Sequence, residues 1–279
     1  GKMNFPGTLY NEVQEVGFSY PWIRNPMEVY TIIPITSYSG MDVLYRFDAF
    51  NIDWVFQPAI GTFPLVKAMG TTFDIDLAYG FSLVGTTDYG KFNFSLINAE
   101  NTDIPVPNTP LDLSINVDFT FAMLGFDLEF DDVVLISELI KRDTRVNRNS
   151  DVPSTSDIFG YYLTLGYRMG NFLPHLTYAA SESDNKVHYL PAGSAMPGPP
   201  PQGVPAQYWV APQAMVYPTN LELPLQSSYT AGLRYDLNSQ TALKMEAQRI
   251  RPEAGSWGVF YSDPGKHADL YSVAVDVVF

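Results

Sequence analysis

Catalytic or metal-binding chemistry has few residues to draw on in this sequence of 279 residues. The chain contains three histidines and no cysteine, which excludes disulfide bonds and thiolate metal sites. His175 and Thr177 would share one face of a strand, but no third group that could activate a nucleophile is evident beside them. No Gly-x-Ser-x-Gly turn, phosphate-binding glycine loop or His-Glu-x-x-His pattern occurs. The sequence therefore predicts a protein that is not an enzyme and that holds no cofactor and no metal ion.

Ionisable side chains are sparse and mostly acidic. Charged residues make up 16% of the chain, against about 25% in an ordinary globular domain. Thirty Asp and Glu residues against sixteen Lys and Arg residues give a formal net charge of −14. Because no basic patch is available to offset phosphates, nucleic acid is not an expected partner.

The carboxy-terminal stretch 268–279 indicates which kind of element positions these side chains. Counting back from Phe279, every second residue is apolar: Val277, Val275, Val273 and Tyr271. The interleaved residues are small or polar: Asp276, Ala274 and Ser272. This alternation predicts a strand with one face toward lipid and the other toward water, with an edge strand of a soluble sheet as the alternative.

Short turns and long connections alternate along the chain. Turn signals occur near positions 49, 89, 131, 169 and 238, and longer connections near 61–78, 101–115, 144–156, 184–225 and 251–267. The alternating stretches between them are about ten residues long, the length that a tilted membrane strand needs. They predict eleven strands: 40–48, 52–61, 79–88, 91–100, 117–130, 133–143, 157–168, 171–182, 226–236, 240–250 and 268–279. No run of 18 apolar residues occurs, which excludes a transmembrane helix.

Aromatic residues gather at one height of the predicted sheet. Those on the apolar face close to a short turn or to the terminus are Phe47, Phe92, Phe130, Tyr167, Phe172, Tyr235 and Phe279. Rings at one height form the girdle of a membrane barrel, whereas the core aromatics of a soluble β-sandwich, the alternative, have no reason to align with turns. The predicted fold class is all-β: a transmembrane antiparallel up-and-down β-barrel, with residues 1–279 as a single domain.

Residues 6–39 differ from the strands that follow. Three prolines within residues 6–30 and weak alternation predict an ordered loop. The run GFSYPWIRNPMEVY at 17–30 resembles the constriction loop of Gram-negative outer-membrane porins, and the stretch 229–236 and the terminal phenylalanine also resemble that group. In sixteen-stranded trimeric porins eleven strands follow this loop. The resemblance thus implies a homotrimer in which Gly1–Phe5 ends the fifth strand and four earlier strands are absent from this sequence. A complete twelve-stranded barrel is the alternative.

By this resemblance the loop folds into the barrel and narrows it, and ion selection then follows pore width and charge. The candidate constriction residues are Glu12, Glu15, Arg24 and Glu28. The prolines at 21 and 26 would hold the backbone near Arg24 and Glu28 stiff. Water-facing strand positions supply the candidate pore-lining residues: Asp42, Arg46, Asp53, Lys91, Glu138, Arg142, Arg168, Arg234, Lys244 and Glu246.

The connection 184–225 contains eight prolines between Pro191 and Pro218. It is predicted to be an external loop stiffened by proline. Two roles are open for it: covering the mouth of the barrel, or contacting a neighbouring subunit.

The predicted function is passive diffusion of small hydrophilic solutes and ions through a water-filled channel in the bacterial outer membrane. Outer-membrane lipid and lipopolysaccharide are the expected surroundings. A closed barrel acting as receptor, adhesin or lipid-modifying enzyme is the alternative. The mixed charges leave the solute specificity open, with the acidic total leaning slightly toward cations.

Overall fold

The computed structural model describes residues 2–4, 7–10, 16–33, 37–68, 71–105, 114–146, 157–183, 188–190, 215–217, 225–253, 256–260 and 262–278. Glu12, Glu15, Phe279 and most of the connection 184–225 lie outside these residues, so the predictions made for them have no structural counterpart here.

Strands dominate the described chain. They are β1 (Lys2–Asn4), β2 (Ser37–Asp42), β3 (Tyr45–Ala49), β4 (Ile52–Ala68), β5 (Thr71–Thr87), β6 (Gly90–Pro105), β7 (Ser114–Phe130), β8 (Val133–Val146), β9 (Ile158–Tyr167), β10 (Phe172–Ser183), β11 (His188–Leu190), β12 (Met215–Tyr217), β13 (Gln226–Asn238), β14 (Thr241–Pro252) and β15 (Ala268–Val277). A 3-10 turn at Gly17–Ser19 and the four-residue helix α1 (Met27–Tyr30) precede most of them. The described residues contain no helix that is long and apolar enough to cross a membrane.

Thirteen of these strands form one antiparallel sheet, in which consecutive strands pair except that β2 and β3 both pair with β4. The order is β1-β2-β4-β5-β6-β7-β8-β9-β10-β13-β14-β15, with β3 paired to β4, and β11 and β12 form a separate pair. In the described residues β1 and β15 end the sheet and do not pair with each other. The up-and-down topology agrees with the prediction, and a single continuous sheet replaces the alternative of two packed sheets.

Two predictions of where strands begin and end were wrong. The expected connections 61–78 and 101–115 are largely strand, because β4, β5 and β6 continue as a ladder well beyond the length that crosses a membrane. The expected strand 40–48 is interrupted at Val43 and Leu44. There the amide of Val43 donates to the carbonyl oxygen of Pro58 at 3.1 Å. Proline has no N–H to return the second bond of that pair, so the ladder breaks into β2 and β3.

Most of the long strands have an exposed apolar face and a buried face. In β9 the side chains of Leu163, Leu165 and Tyr167 are exposed, whereas Tyr162 and Thr164, on the opposite face, are buried. Neighbouring strands continue the pattern in register, so one side of the sheet is apolar and bare. We call it the outward face, and the opposite side the inward face.

Tight turns join the strands at one end of the sheet. At the turn between β3 and β4, Phe50 and Asn51 have φ angles of 58° and 59°, as the type I′ hairpin turn requires at both central positions. A positive φ angle is unfavourable for phenylalanine, so the pairing of β3 with β4 imposes this conformation on Phe50.

Residues 7–10 and 16–33, here called the inner segment, lie against the inward face. Trp22, Val29 and Ile32 on this segment are almost completely buried. Helix α1 lies directly on β9, since a Cβ atom at position 160 would clash with the carbonyl oxygen of Glu28. Glycine at this position therefore permits the segment to approach the wall. The predicted ordered loop is thus packed against the inward face of the sheet.

Candidate functional site

The first part of the inner segment is attached to β6. The carbonyl oxygen of Gly7 accepts hydrogen bonds from Asn93 at 2.9 Å and from Ser95 at 2.7 Å. Lys91 donates to the carbonyl oxygen of Leu9 at 3.1 Å. A buried backbone needs hydrogen-bond partners, and the inner segment is not paired with a strand. These inward-facing polar side chains supply the partners instead.

Glu138 of β8 is the point where the segment is held most closely. One carboxylate oxygen accepts the amide of Leu9 at 2.6 Å. The other accepts the hydroxyl of Tyr30 at 2.7 Å and that of Tyr162 at 2.8 Å. Burial and the nearby charge of Glu138 raise the pKa of Tyr30 well above its ordinary value, so this phenol remains a hydrogen-bond donor.

Trp22 anchors the middle of the segment on β9 and β10. Its indole N–H lies 3.1 Å from the hydroxyl of Thr164 and 3.0 Å from that of Thr177. The indole ring meets Tyr162 edge-on, with centroids 5.3 Å apart. With 1% of its surface exposed, Trp22 fills its site completely.

Lys244 of β14 binds the backbone of the segment from the other side. Its ammonium donates to the carbonyl oxygens of Gly17 and Trp22, at 2.5 Å and 2.8 Å. It also pairs with Asp276 of β15 at 2.9 Å. Only 1% of the side chain is exposed, and these contacts offset the cost of burying the charge.

Arg234 and Glu246 extend this attachment. Arg234 of β13 donates to the carbonyl oxygens of Phe18 at 2.6 Å and Tyr20 at 3.1 Å. Glu246 accepts the amide of Ile23 at 2.8 Å. The segment is therefore held by wall charges of both signs, each paired with a backbone group of the opposite polarity.

The two described constriction candidates occupy different environments. Arg24 is exposed, and its guanidinium donates to Ser272 of β15 at 2.5 Å. Glu28 has no exposed surface, and it accepts a hydrogen bond from Gln226 at 2.8 Å. In this arrangement Glu28 supports the packing of α1, and a role for either residue at a constriction stays a prediction.

The remaining pore-lining candidates are also placed by the sheet. Asp42 accepts hydrogen bonds from Tyr38 and Gln57, each at 2.7 Å. Arg142 is buried, with its guanidinium 5.6 Å from the ring centroid of Phe119. Arg168, near a tight turn, forms an ion pair of 2.6 Å with Glu129. The sequence predicted the face of these residues, and their role in lining a pore stays a prediction.

The inward face of β3 and β4 differs from the rest of the wall. Arg46, Asp48 and Asp53 alternate there with outward aromatics and are all exposed. Asp48 lies directly opposite Asp53 in the strand register. Within the described residues, the inner segment makes its hydrogen bonds to β6–β10 and β13–β15, so this part of the wall remains accessible to water.

Sequence reasoning missed the residues that fix the segment in place. Trp22, Tyr162, Thr164 and Thr177 had no assigned role, although the two threonines sit on the inward face that the alternation defined. Buried hydroxyls at successive inward positions were the available signal, since a buried polar group needs a partner. Among the described residues no three His, Asp or Glu side chains form a group that could hold a metal ion.

Comparison with known proteins shows the fold. No family model matches the chain, and no curated protein matches it in sequence. Among solved structures it is similar to the outer-membrane expressed OmpT of Vibrio cholerae, at 12% identity and a TM-score of 0.50. That match covers 90% of this chain and 65% of OmpT, so the chain spans less than two thirds of the length of that protein. The chain has the fold of an outer-membrane β-barrel protein.

This finding confirms the predicted fold class, and the predicted location in the bacterial outer membrane with it. A further match, to CdiB from Acinetobacter baumannii, has 9% identity and a TM-score of 0.41, and covers 86% of this chain and 44% of CdiB. That similarity is too low to carry an argument. Membership of the sixteen-stranded trimeric porins is not established by either match.

The prediction that the chain is not an enzyme was wrong in excluding catalysis. It rested on the absence of familiar motifs, whereas the structural likeness to OmpT places the chain on a membrane-barrel fold that is compatible with catalysis. At 12% identity the likeness shows the fold alone, and it assigns no catalytic residue.

Proposed function

We propose that the protein forms a water-filled channel through the outer membrane for small hydrophilic solutes and ions, narrowed by the inner segment. The observation that carries this proposal is the asymmetry of the inward face. One side is covered by a firmly bonded segment, whereas the side formed by β3 and β4 keeps exposed charges at Arg46, Asp48 and Asp53. Exposed charges on an inward face are expected where water passes.

Bilayer recording tests the proposal. The full-length protein, purified in detergent and inserted into a planar membrane, should give stepwise openings, and closure in three equal levels would fit the homotrimer that we also propose. Insertion of folded protein without conductance would contradict the channel. Folding is checked separately by resistance to SDS at room temperature.

The opposed carboxylates of Asp48 and Asp53 predict a preference for cations. Replacing both with asparagine removes two negative charges from the accessible wall, so the reversal potential in a salt gradient should move toward anions. The matched control replaces Asp131 and Asp132 with asparagine, because these exposed acids lie in the turn between β7 and β8. Equal shifts from both pairs would show that the effect comes from total charge, not from the proposed path.

A further inference from the structure

The outward face carries a groove across β9, β10, β13, β14 and β15. Its cavity volume is about 500 Å³, and Leu176, Tyr229 and Tyr271 are among its apolar walls. All three side chains are strongly exposed. A barrel keeps this face toward lipid, so the groove is an indentation in the surface that acyl chains contact.

Strand register explains the indentation. Leu176 lies opposite Ala231, Ala231 opposite Ala247, and Ala247 opposite Tyr271. Two adjacent alanines therefore stand in a row between large side chains. Since outward side chains at paired positions are neighbours, the alanines form a shallow floor and Leu176 and Tyr271 the flanks.

The end of the groove nearest the long connections is cationic and aromatic. Tyr229 lies beside Tyr178, with ring centroids 4.9 Å apart, and opposite Arg249. Arg249 forms a two-point ion pair with Asp269, at 2.7 Å and 2.8 Å. Arg251 is the next residue of β14 on the outward face after Arg249. It is exposed, and its guanidinium lies 5.9 Å from the Tyr229 ring centroid.

Charges on a lipid-facing surface are costly within the hydrocarbon and are tolerated near the interface. The row of Tyr178, Tyr229 and Arg249 thus marks the level of the head groups. Asp269 offsets the charge of Arg249, so that among the described residues Arg251 is the cation nearest the groove that forms no ion pair. The acidic Glu182 lies one outward-facing position beyond the level of Arg251, and Glu253 follows the end of β14, so both are farther from the groove.

We propose that this groove binds a phosphate-bearing acyl lipid. One acyl chain lies on Ala231 and Ala247 between Leu176 and Tyr271, and the phosphate is bound by Arg251 with support from Arg249. The charge favours this occupant, because a guanidinium at the head-group level matches a phosphate and the apolar floor below it matches a chain. The channel and the lipid site are independent proposals.

Native mass spectrometry of the full-length protein released from nonionic detergent tests this site, with bis-phosphorylated lipid A as the probe. The same acylated disaccharide without phosphates is the comparison ligand. We expect Arg251→Gln to weaken binding of the phosphorylated probe about tenfold, the loss of roughly one charge-assisted contact. We expect Ala231→Leu, which fills the floor, to weaken binding of both ligands.

Arg145→Gln is the matched control, because Arg145 is also an exposed arginine, near the end of β8 toward the long connections. It should bind the probe as the unchanged protein does. Equal binding of the two ligands, or equal losses from Arg251→Gln and Arg145→Gln, would overturn the proposal. If Ala231→Leu instead alters only the oligomeric state, the face contacts a second copy of the chain and the lipid site is wrong.

Discussion

Replacing Glu138 with alanine should detach the inner segment and raise the conductance of the proposed channel. The change removes the only acceptor described for the Leu9 amide and the hydroxyls of Tyr30 and Tyr162. Leaving a buried donor without a partner costs about 1–3 kcal/mol, so three donors give a loss of roughly 3 kcal/mol or more in the free energy of unfolding. The measurements are single-channel conductance and the temperature at which the SDS-resistant folded form is lost.

Two further variants make this prediction specific. Glu138→Gln keeps one carbonyl acceptor, so its effects should lie between those of the unchanged protein and Glu138→Ala. Glu129→Ala removes a carboxylate from an exposed ion pair with Arg168, and surface pairs contribute only about 0–1 kcal/mol. Unchanged conductance and unfolding temperature in Glu138→Ala would show that the segment does not depend on this carboxylate.

Replacing Trp22 with alanine is the second change with a large expected effect. The indole is almost fully buried between β9, β10 and the inner segment, and truncation of such a residue costs about 3–5 kcal/mol through lost burial and the cavity that remains. We expect a lower unfolding temperature together with larger and noisier open-channel currents, because the middle of the segment is no longer fixed to the wall.

Trp22→Phe separates volume from hydrogen bonding. It keeps most of the ring contacts and removes the N–H that meets Thr164 and Thr177, so a loss of about 1 kcal/mol is expected. Trp54→Ala is the control, because Trp54 belongs to the outward aromatics and stacks on Phe47. An effect of Trp54→Ala on conductance as large as that of Trp22→Ala would indicate general destabilisation of the sheet.

Both variants test how a short segment is held against the inward face of the sheet. Its attachment combines aromatic packing around Trp22 with hydrogen bonds from buried wall charges such as Glu138 and Lys244. These two charges were predicted to face water and are instead buried beneath the segment. They hold the segment in position, while Arg46, Asp48 and Asp53 remain accessible.

The strands and their faces followed from the sequence alone. Alternation and tight-turn residues are local signals, so the outward positions of Leu163 and Leu165 and the inward position of Thr164 in β9 could be predicted without knowing any partner strand. The same local signals gave wrong lengths for several strands. Alternation does not show where the membrane ends, and the break at Val43 arises from Pro58 on the neighbouring strand.

Only the tertiary structure decided which inward residues the inner segment covers. Leu9 and Glu138 are 129 residues apart, and Arg24 and Ser272 are 248 apart. Such contacts depend on the path of the segment across many strands at once, and no periodicity in the chain encodes that path. The sequence determined a barrel wall with an apolar outside and a charged inside, because each residue's face depends on its immediate neighbours. The division of the inside into a bonded side and an accessible side required the folded chain, because it depends on distant residues meeting.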